Sequence, residues 1–150
     1  MKTVFETRFS KVGESATHYQ STAIKSSADA CEWAKTCMGE YFRDKLNQEE
    51  FLIATLNTKN VVQRIVRITR GTLDASLVHP REVFCAAIAD CAASILLIHN
   101  HPSGDPTPSR EDYAVTDRLK ECGTILGIRV LDHIVVGDTA VSLEDSRCSR

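Results

Sequence analysis

The sequence predicts a mixed α/β domain in which a central sheet is flanked by helices. Three features point there. Residues 50–56 (EFLIATL) and 61–69 (VVQRIVRIT) are β-rich apolar runs separated only by the turn 57–60 (NTKN), the pattern of a hairpin. Residues 94–99 (SILLIH) form a continuous apolar run, the composition of a strand buried on both faces. Apolar stripes at spacings of three and four stand before, between and after these runs.

The elements follow in order. In residues 1–24, Val4, Phe5 and Phe9 suggest a short strand. Ser26 and Ser27 can cap a helix over 28–45, whose apolar positions (Ala30, Trp33, Ala34, Cys37, Met38, Tyr41 and Phe42) share one face. Asn47 breaks that pattern before the hairpin. Arg64, Arg67 and Arg70 recur along its second strand and read as the solvent face of an edge strand. After a connector at 72–80, Phe84, Ala87, Ile88 and Cys91 mark a helix over 81–93 entered through His79-Pro80. A Pro/Gly-rich loop follows the buried strand. A helix over 110–122 then stops at Gly123. The last strand covers 128–136, Gly137-Asp138 turns the chain, and 140–143 pairs back.

Composition excludes several classes. With 18 Lys+Arg against 20 Asp+Glu, the net charge of −2 argues against a strongly basic nucleic-acid binder. No apolar run is long enough for a membrane span, and the N-terminus lacks the apolar stretch of a secretory signal, so a cytoplasmic location is expected. Six cysteines stand at 31, 37, 85, 91, 122 and 148 without any CxxC pair. Cys85, Cys91 and Cys122 fall on apolar helix faces and read as buried, reduced thiols, while Cys148 reads as exposed.

The segment 99–112 (HNHPSGDPTPSRED) carries the chemistry. Residues i and i+2 of a strand share a face, so His99 and His101 present two imidazoles at the carboxyl end of the buried strand. Three prolines and a glycine make a stiff loop that leads to a helix with Asp112 in its first turn. Two imidazoles and one carboxylate are a normal zinc set, and three protein ligands leave a fourth position for water, as in catalytic sites. Zinc brings the pKa of such a water to about 7. Ser109 with Asp112 is also the spacing of a capping box, which needs no function. Two imidazoles leaving an apolar strand without partners would be costly, and this favours the metal reading.

The pattern His99-x-His101, seven residues, Ser109-x-x-Asp112 resembles the signature of the JAMM (MPN-type) metallopeptidase superfamily. The string 99–106 is similar to its bacterial RadC branch, as are Gly71-Thr72-Leu73, residues 78–82 (VHPRE) and residues 131–134 (LDHI). The resemblance covers 47–143. It implies 1–46 as an N-terminal extension, 47–143 as the JAMM domain and 144–150 as a polar tail. It implies a sheet wrapped by helices, related to cytidine deaminases, with zinc on His99, His101 and Asp112. It also implies a glutamate general base, for which Glu49 is the match and Glu50, on the opposite strand face, the alternative. Ser109 matches the serine that stabilises the tetrahedral oxyanion. Asp105 reads first as a turn residue and second as a support for the ligands, while His133 with Asp132 reads equally as such a support or as a buried, satisfied polar pair.

These residues lead to a zinc-dependent hydrolase acting on a peptide or protein substrate as peptidase or isopeptidase. The alternatives are a non-catalytic metal-binding domain associated with DNA repair or mobile elements, and a partner-binding scaffold. Longer RadC-like proteins carry a helix-hairpin-helix region upstream. The 46 residues before the domain show no such pattern, so direct nucleic-acid binding is not expected, and the chain resembles short RadC-like proteins of mobile elements. The glycine that the family places beyond 141–144 (VSLE) is absent. A deaminase would need His-x-Glu and Pro-Cys-x-x-Cys, and neither occurs. A homodimer through the helix at 28–45 and a helix that simply covers the sheet are both open at this point.

Overall fold

The computed structural model describes residues 3–6, 11–14, 23–43, 48–71 and 78–149. Phe9, His18 and the connector at 72–77 lie outside the described residues. The strands are β1 (Thr3–Glu6), β2 (Lys11–Glu14), β3 (Glu49–Leu56), β4 (Val62–Gly71), β5 (Ser94–Asn100), β6 (Arg129–Val136) and β7 (Ala140–Ser142). Among the described residues they form one seven-stranded mixed sheet in the order β2-β1-β4-β3-β5-β6-β7. The β1–β4 and β5–β6 pairs are parallel, and the other neighbours are antiparallel. The sheet is therefore the α/β architecture expected from the apolar runs.

Alternation along β3 and β5 divides the core in two. Leu52, Ala54, Leu56, Leu96 and Ile98 pack toward the N-terminal helix. Phe51, Ile53, Ile95 and Leu97 pack toward two helices on the opposite face. The N-terminal helix comprises α1 (Ser27–Trp33), a π turn (Ala34–Met38) and α2 (Gly39–Arg43). Ser26 caps it by accepting the Asp29 amide at 3.1 Å. Its buried residues include Ala30, Trp33, Ala34, Cys37, Met38 and Phe42, the face expected from spacing, and that face covers the sheet.

The opposite face is covered by α3 (Pro80–Ala89) and α4 (Arg110–Leu126). Both end elsewhere than the sequence pattern suggests. Helix α3 stops at Ala89 rather than 93, because Cys91 adopts a left-handed φ of 49° and turns the chain into β5. Cys85 and Cys91 are exposed and Cys122 is half-buried, so the expectation of buried thiols fails at all three. Cys37 is buried, and Cys148 is exposed as expected. Helix α4 runs through Gly123 and ends at Gly127, whose φ of 72° is a left-handed cap. Gly123 serves close packing instead. The Ile128 amide donates to its carbonyl at 2.9 Å, and a Cβ there would stand 2.4 Å from the Ile128 carbonyl oxygen.

Strand β4 is not an edge strand, because β1 pairs with it. Its arginines each lie beside a carboxylate, Arg70 while half exposed. Arg64 bonds Asp90 at 2.9 Å, while Arg67 and Arg70 lie 3.6 and 3.4 Å from the Glu50 carboxylate. The polar tail is helical over α5 (Leu143–Cys148), capped by the Ser142 hydroxyl accepting the Asp145 amide. Among the described residues no helix is long and apolar enough to cross a membrane.

Gly123→Ala tests the close approach. Alanine gains about 1 kcal/mol of helix propensity, but overpacking against immobile backbone costs about 1–3 kcal/mol. The clash wins, and urea denaturation is expected to show a destabilised variant.

Candidate metal centre

The centre forms where β5 ends and α4 begins. Ile95 and Leu97 face α3 and α4, so His99 at the next alternate position faces them too. His101 stands one residue past the strand, with its amide donating to the Val136 carbonyl at 2.9 Å. Asp112 is turned back by a complete capping box. Its amide donates to the Ser109 hydroxyl at 3.2 Å, and the Ser109 amide donates to its Oδ2 at 2.7 Å.

Three ligand atoms converge. His99 Nε2 lies 2.9 Å from His101 Nε2 and 3.2 Å from Asp112 Oδ1, and His101 Nε2 lies 3.5 Å from Asp112 Oδ2. Donors held 2.0–2.1 Å from one tetrahedral ion stand about 3.3 Å apart, so this spacing fits a single cation. His99 and Asp112 are buried and His101 is partly exposed, which leaves one side open.

Hydrogen-bond accounting also fits a cation. A carbonyl only accepts, so the Thr116 hydroxyl donates to the Asp112 carbonyl (2.7 Å) and accepts from His133 Nδ1 (2.7 Å). Burial, reinforced by His99, holds the His133 imidazole well below its ordinary pKa, so His133 Nε2 accepts. His99 Nδ1 is then the donor across 2.7 Å, and its Nε2 is left for the centre. His101 Nδ1 donates to the Asp105 carbonyl at 2.8 Å, which also leaves Nε2 inward. Two ring nitrogens 2.9 Å apart need a proton or a cation between them. Burial alone would raise the Asp112 carboxyl, but the His101 and His99 rings beside it hold it well below the usual carboxylate range. The same carboxylate raises His101 above its ordinary value, against the opposing effect of burial.

The other expected residues sort by strand face. Glu49 alternates with Phe51, which pairs with His99, so Glu49 lies on the centre's face, and its charge helps to raise His101. Glu50 lies on the other face. It is fully buried and accepts the Tyr41 hydroxyl at 2.6 Å. Burial, together with that carboxylate, pushes the Tyr41 phenol well above its ordinary pKa. Asp105 supports His101 through its backbone, while its side chain closes a turn onto Thr107. Asp132 does not join His133 at the centre. It accepts the Ser142 hydroxyl at 2.6 Å and the His133 amide at 2.7 Å, tying β6 to the start of α5. Two buried residues beside these groups were not among the expected ones: Thr116, which bonds His133, and Asn100, which bonds the Glu50 amide and the Gln48 carbonyl. Thr116 had one available signal, its i+4 spacing from Asp112 on α4.

A mixed sheet here sends two histidines from one strand end toward an aspartate at a helix N-terminus, which defines an α/β domain with a triad that could hold a metal ion. Residues 24–148 match the family model described as RadC-like JAB domain, and the chain belongs to that family. The match takes in the helix at 27–43. The chain is 55% identical to a UPF0758 protein of Pelobacter propionicus over 102 residues, covering 66% of the chain and 44% of the relative. It is 52% identical to one from Clostridium beijerinckii over 113 residues, covering 75% and 48%. It is 57% identical to one from Caldanaerobacter subterraneus over 101 residues, covering 67% and 43%. The chain thus spans less than half the length of these curated relatives.

Two outcomes follow from the bonding. Thr116→Val removes both hydroxyl bonds without changing shape and should weaken zinc binding about 10–100-fold, as read by competition with a chromophoric chelator. A metal must displace the His101 proton, so affinity should climb with pH up to the raised His101 value and level off above it. Asp112→Asn removes the raising charge, so the remaining affinity should begin to fall at a lower pH. Titrations from acid to alkaline pH check both.

Proposed function

We propose that this domain is a metal-dependent hydrolase that cleaves amide bonds of a peptide or protein substrate, as peptidase or isopeptidase. Zinc is the ion its two imidazoles and one carboxylate suit best. The observation that carries this reading is the buried triad open on one side, with Glu49 on the same sheet face. When bound, the ion acidifies water and polarises an amide carbonyl.

The chain's own residues supply the rest. Glu49 accepts a proton from the attacking water and returns it to the departing amine. The Ser109 hydroxyl accepts the Asp112 amide and so keeps its own proton to donate to the developing oxyanion. Asp105 and His133 keep the two imidazoles oriented through their outer nitrogens.

The test is a fluorogenic peptide and isopeptide library with the zinc-loaded chain. Glu49→Gln should retain zinc and lose about 10²–10⁴-fold in kcat/KM. Full activity in Glu49→Gln would remove it as base. Zinc binding with no turnover across the library would turn the reading to a metal-binding accessory domain.

A further inference from the structure

We propose that Asn100 is a positioning residue whose side-chain amide aims Glu49 at the metal centre; this rests on the reading of Glu49 as the base.

The β3–β5 ladder ends at the pair Phe51–His99. On its other edge β5 stays paired with β6 one residue further, Asn100 with Val136, and the His101 amide donates to the Val136 carbonyl. Glu49 and Glu50 lie beyond the end of the β3–β5 ladder. The Asn100 side chain, on the sheet face opposite His99, takes over. Its Oδ1 accepts the Glu50 amide at 2.7 Å, and its Nδ2 donates to the Gln48 carbonyl at 3.0 Å. The orientation is unambiguous, because an amide N–H only donates and a carbonyl only accepts.

These two groups belong to the two peptide units on either side of Glu49. Each unit is planar. Holding both fixes φ and ψ at Glu49 and hence the direction of its Cα–Cβ bond. Asn100 is buried, so water does not compete for either bond. Only a short carboxamide offers a donor and an acceptor at this reach: aspartate lacks the donor, and serine offers one hydroxyl. The residue between the two histidines thus orients the glutamate, so one three-residue segment sets the base and both imidazoles.

Cobalt(II) loaded into the full chain tests this by locating Glu49 without any substrate. In the parent, NMR signals of the labelled Glu49 carboxylate should be strongly shifted by the paramagnetic ion. In Asn100→Ala the shift should collapse, while His133 signals stay unchanged. Cobalt affinity should stay within about threefold, far from the 10–100-fold loss typical of a ligand's support. Exchange of the Glu50 amide should quicken about tenfold, the equivalent of one hydrogen bond. Asn100→Asp keeps the acceptor and loses the donor, and should give an intermediate shift even if the alanine variant fails to fold. An unchanged Glu49 shift in a folded variant overturns the proposal, as does an affinity loss that tracks the shift. The cobalt shift reports where Glu49 stands, whereas hydrolysis by Glu49→Gln reports whether it is the base, so the two ideas fail separately.

Discussion

The buried Asp112 carboxylate sets most of what surrounds it. A charge taken out of water demands partners. Asp112 obtains an amide from Ser109 and two ring nitrogens from His99 and His101. Those rings can turn their Nε2 atoms inward only because their Nδ1 atoms are spoken for, at His133 and at the Asp105 carbonyl. Each chain of bonds ends on a backbone carbonyl, which fixes every donor along it. The outer partners thus orient both rings toward one point, as the supporting bonds of metal-ligating histidines do.

Strand β5 meets this demand by using both faces. Its residues 94–100 are buried throughout, so it has no solvent face to spend on polar groups. His99 faces α4 and the ligands, whereas Asn100 faces the helix at 27–43 and the start of β3. On that second face Glu50 draws Tyr41, Arg67 and Arg70 around itself. The first residues of β3 are therefore gripped from β4, from β5 and from α2. The family match takes in this helix, from which Tyr41 reaches the strand that bears Glu49.

The sheet was legible because its strands are apolar runs too short for helices, and the N-terminal helix because its buried stripe keeps a period near 3.6. The ligand triad was legible because i, i+2 on a strand and the third turn position of a capped helix are local facts. What escaped depends on contacts between distant segments. Gly123 looks like a helix terminator, yet it is small because Ile128 passes over it. Cys85 and Ile88 look like buried positions, but α3 buries Val83, Phe84, Ala86 and Ala87 and leaves these two outside. Arg64, Arg67 and Arg70 look like an exposed face until β1 is seen to pair with β4.

Asn100 shows why such positions stay hidden. Between two histidines in a strand it is one more polar residue, and nothing local distinguishes a side chain that meets solvent from one that extends a ladder. The difference lies in where the β3–β5 ladder stops, at Phe51–His99, while β5 stays paired with β6 through Asn100. Beyond that stop the Asn100 carboxamide bonds the Glu50 amide and the Gln48 carbonyl in place of a backbone partner. A side chain between the two histidines thereby joins the strand end that carries His99 to the strand start that carries Glu49.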